Sequence, residues 1–252
     1  MIYPILEYDP TPIAFLEPSR LINPRDMPEH CVMCFFKDVM DKVITKHDAK
    51  MLVGNKWEES PHPVYEIAYQ DSRLAFFHPG IGAPSAASLL EEVIAFGCKK
   101  FIACGGCGVL EKDISVGNLI VVSGAIRDEG VSYHYLPPNK EITANETAVR
   151  ALTALLSERN LPYRLGKTWT TDAPYRETPN KISRRREDGC ICVEMESAGM
   201  MAVAQFRKVL FGQILYGGDD LSGEEWDHRA WQSKAALRES LFWLCADACL
   251  SL

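Results

Sequence analysis

Apolar positions along the chain fall into two alternating rhythms. Short continuous runs at Cys31 to Phe36, Val64 to Tyr69, Arg73 to Phe77, Phe101 to Cys104, Leu119 to Ile126, Tyr163 to Thr170, Cys190 to Glu194 and Val209 to Tyr216 predict buried strands. Between them, Pro84 to Phe96, Asn145 to Asn160, Ser197 to Phe206 and Asp227 to Cys249 repeat apolar residues at i, i+3 and i+4, which predicts helices. Strands followed by helices at this interval imply an α/β fold with a largely parallel or mixed sheet covered on both faces. Ligands then bind at the C-terminal ends of the strands. Before the first strand, Pro4, Pro10, Pro12, Pro18, Pro24 and Pro28 exclude a long helix or a central strand. Residues 1–28 therefore read as an extended arm whose Ile, Leu, Phe and Tyr pack on the body or on a neighbouring subunit, and residues 29–252 as a single domain.

At 252 residues and 47% hydrophobic, the chain can bury one large core. A formal charge of -7 argues against nucleic acid and anionic membranes as partners and for a small-molecule substrate. No apolar run approaches the roughly 20 residues of a membrane helix, and the start lacks a signal-peptide pattern, so a cytoplasmic location is expected. The nine cysteines should then be reduced thiols. Cys31-x-x-Cys34 and Cys104-x-x-Cys107 invite a zinc reading, but they lie in apolar strand ends rather than polar knuckles, and no metal is expected.

The most informative segment is Cys190-Ile-Cys-Val-Glu-Met-Glu-Ser-Ala-Gly199, an apolar strand that ends in two carboxylates around a methionine and opens into a small-residue helix. A ribose presents two vicinal hydroxyls and one apolar face. A carboxylate such as Glu196 can accept both protons, and the polarizable Met195 can lie against the ring. Alternatively, Glu194 and Glu196 are acids at a helix N-terminus, where the helix dipole favours them.

Taken with His78-Pro-Gly-Ile-Gly-Ala-Pro-Ser85, Cys104-Gly-Gly-Cys-Gly-Val-Leu110, Ile126-Arg-Asp-Glu-Gly-Val-Ser-Tyr-His-Tyr135, Thr170-Thr-Asp-Ala-Pro-Tyr-Arg-Glu-Thr178 and Gly217-Gly-Asp-Asp-Leu-Ser-Gly223, this strand end resembles the nucleoside phosphorylase and nucleosidase superfamily from about Val64 onward. The resemblance implies a three-layer α-β-α fold around a central mixed, partly barrel-like sheet. It also implies an enzyme that cleaves the N-glycosidic bond of a nucleoside in a homo-oligomer of two to six copies, without a cofactor other than inorganic phosphate as a possible co-substrate.

Carried onto this chain, the resemblance makes Glu196 and Met195 the sugar clamp, Glu194 the partner carboxylate, and Asp219 the acid toward a purine. Gly218 stands where the family has serine, so the hydrogen bond orienting Asp219 must come from elsewhere. Asp220 would take the role after a shift of one residue, and Gly-Gly-Asp-Asp is also an ordinary turn. The loop after Thr170 resembles the family's base cover, with the stacking position at Pro174 or Tyr175 and Tyr175 preferred. Gly105, Gly106 and Thr171 complete the implied substrate-binding set. Glu129 to Tyr135 should border the site, with His134 a packing residue.

The departures concern phosphate. Ala103 and Gly106 stand where phosphorolytic members carry an arginine and a hydroxyl, and Asp38 lies near another expected arginine. Losing guanidiniums removes the bidentate, charge-assisted bonds that select an anion. Three readings stay open: phosphorolysis through a cation such as Lys37, Lys56 or Arg176; attack by water polarised by Asp38; or nucleoside binding without catalysis. The glycine turn does not satisfy G-x-G-x-x-G, which argues against a dinucleotide fold.

Overall fold

The computed structural model describes residues 3–58 and 60–252, the side chains of Asn55 and Lys56 excepted. The apolar runs become ten strands: β1 (His30–Cys34), β2 (Lys50–Lys56), β3 (Pro61–Tyr69), β4 (Ser72–Phe77), β5 (Lys100–Val109), β6 (Leu119–Asp128), β7 (Glu141–Thr143), β8 (Tyr163–Thr171), β9 (Cys190–Glu194) and β10 (Leu210–Asp220). They form one mixed sheet in the order β10-β6-β8-β9-β5-β1-β4-β3-β2, with β7 paired to β6. A further parallel pairing sets Leu210 opposite Lys100 and continues to Gly217 opposite Cys107, joining β10 to β5. The path β10-β6-β8-β9-β5 thereby closes on itself as a five-stranded barrel, and β1, β4, β3 and β2 extend from it as an open wing.

Helices cover both faces. They are α1 (Pro18–Leu21), α2 (Lys37–Lys46), α3 (Ala83–Phe96), α4 (Ser132–Tyr135), α5 (Glu146–Glu158), α6 (Pro179–Glu187), α7 (Ser197–Arg207) and α8 (Ala235–Leu250). One core layer packs Leu90 and Val93 of α3 and Met200 and Val203 of α7 with Phe101. The opposite layer packs Val39 of α2, Leu152 of α5 and Phe242 of α8 with Ile214 and Tyr216. The ends of these helices follow local chemistry. The Asn145 side chain accepts from the backbone N–H of Ala148 to cap α5. Gly82 and Gly97 bracket α3 with φ of 84° and 139°, values that side chains with a Cβ rarely adopt.

Six elements lie outside the sequence expectation, namely α1, α2, α4, α6, β2 and β7; β5 and β10 run on through the expected turns to Val109 and Asp220, and one helix boundary moves. Helix α8 begins at Ala235 rather than Asp227. Residues 227–234 instead pair Asp227 with Asp220, pass through left-handed backbone at Arg229 and Ala230, and make a 3-10 turn at Trp231–Ser233. Residues 3–28 hold a 3-10 turn at Pro4–Leu6 and the single turn α1, with no strand. Their anchor is the buried Glu17, which pairs with Arg207 of α7 at 2.9 Å. No helix among the described residues is long and apolar enough to cross a membrane.

Candidate active site

At the C-terminal ends of β5, β9 and β10 lies a cavity of about 340 Å³. Apolar walls come from Phe35, Phe36, Ile81, Val193, Leu215 and Trp231, and its floor from Gly105, Gly106 and Gly108 of β5. Into it open Met195, Glu196, Asp219 and Glu177, together with Arg238 of α8.

The two glutamates at the end of β9 divide their work. Glu194 is a structural acceptor. One carboxylate oxygen takes the backbone N–H groups of Glu196 (2.7 Å) and Ser197 (2.6 Å), capping α7, and the other takes the Thr170 hydroxyl at 2.6 Å. Glu196 sends one oxygen to the backbone N–H of Gly82 at 2.7 Å, so the loop before α3 fixes its carboxyl at the cavity wall. Burial, with the negative charge of Glu194 beside it, pushes the Glu196 carboxyl up to about 8. Capping and a cavity-facing carboxylate, which the sequence offers as alternatives, thus coexist two residues apart.

Asp219 and Asp220 leave β10 in different directions. Asp219 lines the cavity, and its Oδ2 accepts the Trp226 indole N–H at 2.6 Å. That bond supplies the orientation for which no serine is present. Asp220 instead accepts the backbone N–H of Ser222 at 2.7 Å and pairs with Arg229. A Cβ on Gly218 would meet the Cys107 carbonyl oxygen at 3.0 Å and Trp231 at 3.4 Å, and one on Gly106 would meet the Tyr216 ring at 3.3 Å. Aromatic rings therefore fill the space that hydroxyl side chains would need at both glycines.

Other expected residues lie elsewhere. Tyr175, 98% exposed, projects into solvent from the 3-10 turn Pro174–Arg176, while its neighbours Pro174 and Glu177 line the cavity. Thr171 is buried behind this loop, where its hydroxyl accepts the Ala173 N–H. Asp38, in the first turn of α2, is not a lining residue; it pairs with the lining Arg238 at 3.0 Å. Ala103 is fully buried, Lys37 pairs with Asp41 on the surface, and Arg176 is exposed. The side chain of Lys56 lies outside the described residues. His134 and Tyr135 border a different cavity, between the arm and α3.

Sequence reasoning missed Glu177, Trp226, Trp231 and Arg238. Among the described residues Arg238 is the one cationic side chain lining the cavity. Its guanidinium stacks over Phe36 at 4.6 Å, and its Nε is buried without a hydrogen-bond partner. All nine cysteines are buried. Burial raises the thiols of Cys34 and Cys104 well above the usual range, so they serve as packing residues.

The site is a carboxylate-lined cavity at the strand ends of a mixed α/β barrel. The profile of the family described as the Phosphorylase superfamily matches residues 29–251, and the chain belongs to that family. Among curated relatives, guanosine phosphorylase of Halorubrum lacusprofundi is 26% identical over 198 residues, covering 79% of this chain and 81% of the relative. Among solved structures, purine nucleoside phosphorylase of Toxoplasma gondii in complex with immucillin-H superimposes with a TM-score of 0.77 at 21% identity. It covers 90% of this chain and 92% of its own. AMP nucleosidase of Bacteroides thetaiotaomicron gives 0.71 at 20% identity, covering 88% and 87%.

Proposed function

We propose that the chain cleaves the N-glycosidic bond of a ribonucleoside in the 340 Å³ cavity, with water as the attacking group. Glu196 accepts the two ribose hydroxyls, and Met195 lies against the sugar. The base departs toward the acidic end formed by Asp219. Bond cleavage builds positive charge on the sugar and negative charge on the base, so a carboxylate near the first and a proton donor near the second both lower the barrier. No cofactor enters this chemistry. A purine is the preferred base, in keeping with the name of the Halorubrum relative.

The observation that carries water over phosphate is the scarcity of cations in the cavity. Among the described lining residues the one cation is Arg238, which is already engaged by Asp38. A phosphate dianion would have one guanidinium, shared with a carboxylate, to hold it. Asp38, behind Arg238 rather than lining the cavity, acts in this reading by orienting that guanidinium. The competing reading is phosphorolysis, favoured by the relative's name and by the unpartnered Nε of Arg238. The sugar product formed with and without phosphate separates the two.

The same reading takes the protein as a homo-oligomer of two to six copies, with the arm at a subunit contact. Phe15 and Leu16 of the arm are 107% and 78% exposed, an apolar pair that a neighbouring copy would cover.

A further inference from the structure

The acidic end of the cavity holds two carboxyl groups in different circumstances. Asp219, at the end of β10, accepts the Trp226 indole N–H at 2.6 Å. An indole nitrogen only donates, so the Asp219 oxygen is the acceptor and its carboxyl is held in place. Glu177, just beyond the 3-10 turn that follows β8, also lines the cavity. Its carboxyl has no hydrogen bond or ion pair among the described residues. One carboxyl is thus tied to a donor, and the other faces the cavity without such a tie.

We propose that Glu177 is the group that gives its proton to the departing base, and that Asp219, held by Trp226, is the fixed anion that keeps the proton on Glu177. This rests on the nucleoside-cleaving reading above and is independent of whether water or phosphate attacks. In the step, the C1'–N bond breaks and its electron pair passes into the base, which takes the Glu177 proton. The attacking oxygen forms the new bond to C1'. With water as the nucleophile, the proton it sheds returns through solvent to the Glu177 carboxylate, leaving free base and free ribose.

The charges around Glu177 agree. Burial first and then the anionic Asp219 push its carboxyl up to about 7, which leaves a useful fraction protonated at neutral pH. The opposing charge is Lys181 of α6, but that ammonium is committed to Asp128 at 3.2 Å. Arg186 of α6, on the outer side of Glu177, donates to the carbonyls of Leu110 and Ser222. Glu224 and Glu225 share that outer surface and add negative charge. Across the cavity stand Glu194 and Glu196 at the β9–α7 junction, with Arg238 paired to Asp38. Of these groups Asp219 acts with burial to keep the proton on Glu177, and Lys181 acts against it.

The test compares wild type, Glu177→Gln and Asp219→Asn on a purine ribonucleoside and on p-nitrophenyl β-D-riboside, whose leaving group needs no proton. Wild-type kcat should be flat below pH 7 and fall above it. Glu177→Gln should lose roughly 100-fold in kcat on the nucleoside, with little change in KM and no fall above pH 7. It should retain the p-nitrophenyl substrate within a few-fold. Asp219→Asn should move the fall to lower pH, because removing the anion releases the Glu177 proton earlier. Full nucleoside activity with an unchanged pH profile in Glu177→Gln overturns the assignment, as does equal loss on both substrates. Failure of the wild type to cleave any nucleoside would instead overturn the underlying reading.

Discussion

Glu194 accepts the backbone N–H of Glu196 at 2.7 Å, so one glutamate of the pair holds the chain on which the other is presented. Their substitution should therefore fail in different ways. Glu196→Ala removes two charge-assisted bonds to ribose, each worth about 1.5–3 kcal/mol, and should lower kcat/KM by roughly 10²- to 10⁴-fold, with a smaller stability loss of about 1–3 kcal/mol from the unpaired Gly82 N–H. Glu194→Ala strips the α7 cap and leaves the buried Thr170 hydroxyl without its acceptor, a loss of roughly 2–4 kcal/mol in urea unfolding. Near wild-type kcat/KM in Glu196→Ala would mean that the sugar lies elsewhere.

The raised Glu196 carboxyl links the free site to pH. An unfolded glutamate ionises near 4.5, whereas the folded one keeps its proton to about 8. The native state therefore binds more protons than the unfolded state across that window, and stability falls as pH rises through it. Glu196→Gln should flatten this dependence in thermal unfolding measured from pH 5 to 8.5. Ribose hydroxyls favour the carboxylate, so nucleoside binding below pH 8 should release a proton, visible as a buffer-dependent heat in calorimetry.

Asp219 and Asp220 are adjacent but not equivalent. Asp219→Asn should depress kcat on purine nucleosides by at least tenfold. Asp220→Asn should loosen the loop held by Arg229, whose side chain is 18% exposed, and leave kcat within a few-fold. The reverse order in steady-state kinetics would move the base to the other aspartate.

Gly218→Ser restores the residue usual in the family, yet it should harm this protein. The added Cβ meets a carbonyl oxygen at 3.0 Å and the Trp231 side chain at 3.4 Å. Relieving that contact should cost about 1–3 kcal/mol and shift Trp231 from the cavity wall. Unchanged tryptophan fluorescence and Tm would show that the wall is softer than its packing implies.

The strands were legible because each core strand is a run of apolar residues, and the Glu-Met-Glu end was legible because it concentrates carboxylates where a buried strand stops. The β5–β10 pairing that closes the barrel joins residues more than a hundred positions apart and leaves no local trace. Helix α6 buries no residue, so no apolar stripe announces it. Helix α2 spans ten residues and buries only Val39, Met40 and Val43, a stripe too short to stand out beside the strand before it. Glu177, Trp226 and Arg238 reach the cavity from ordinary loop and helix positions, and nothing in their immediate sequence marks them. Tyr175 was misplaced because a 3-10 turn rotates consecutive side chains by about a third of a circle, which carries Pro174 inward and Tyr175 out.

The most direct measurement is the identity of the sugar released when the protein is incubated with a purine ribonucleoside, with and without phosphate. Free ribose should form in phosphate-free buffer, at a rate that added phosphate changes little. Ribose 1-phosphate, formed only with phosphate at saturable, submillimolar affinity, would contradict water as the nucleophile and return Arg238 to the role of phosphate ligand. Binding of nucleoside without release of either sugar would contradict cleavage itself.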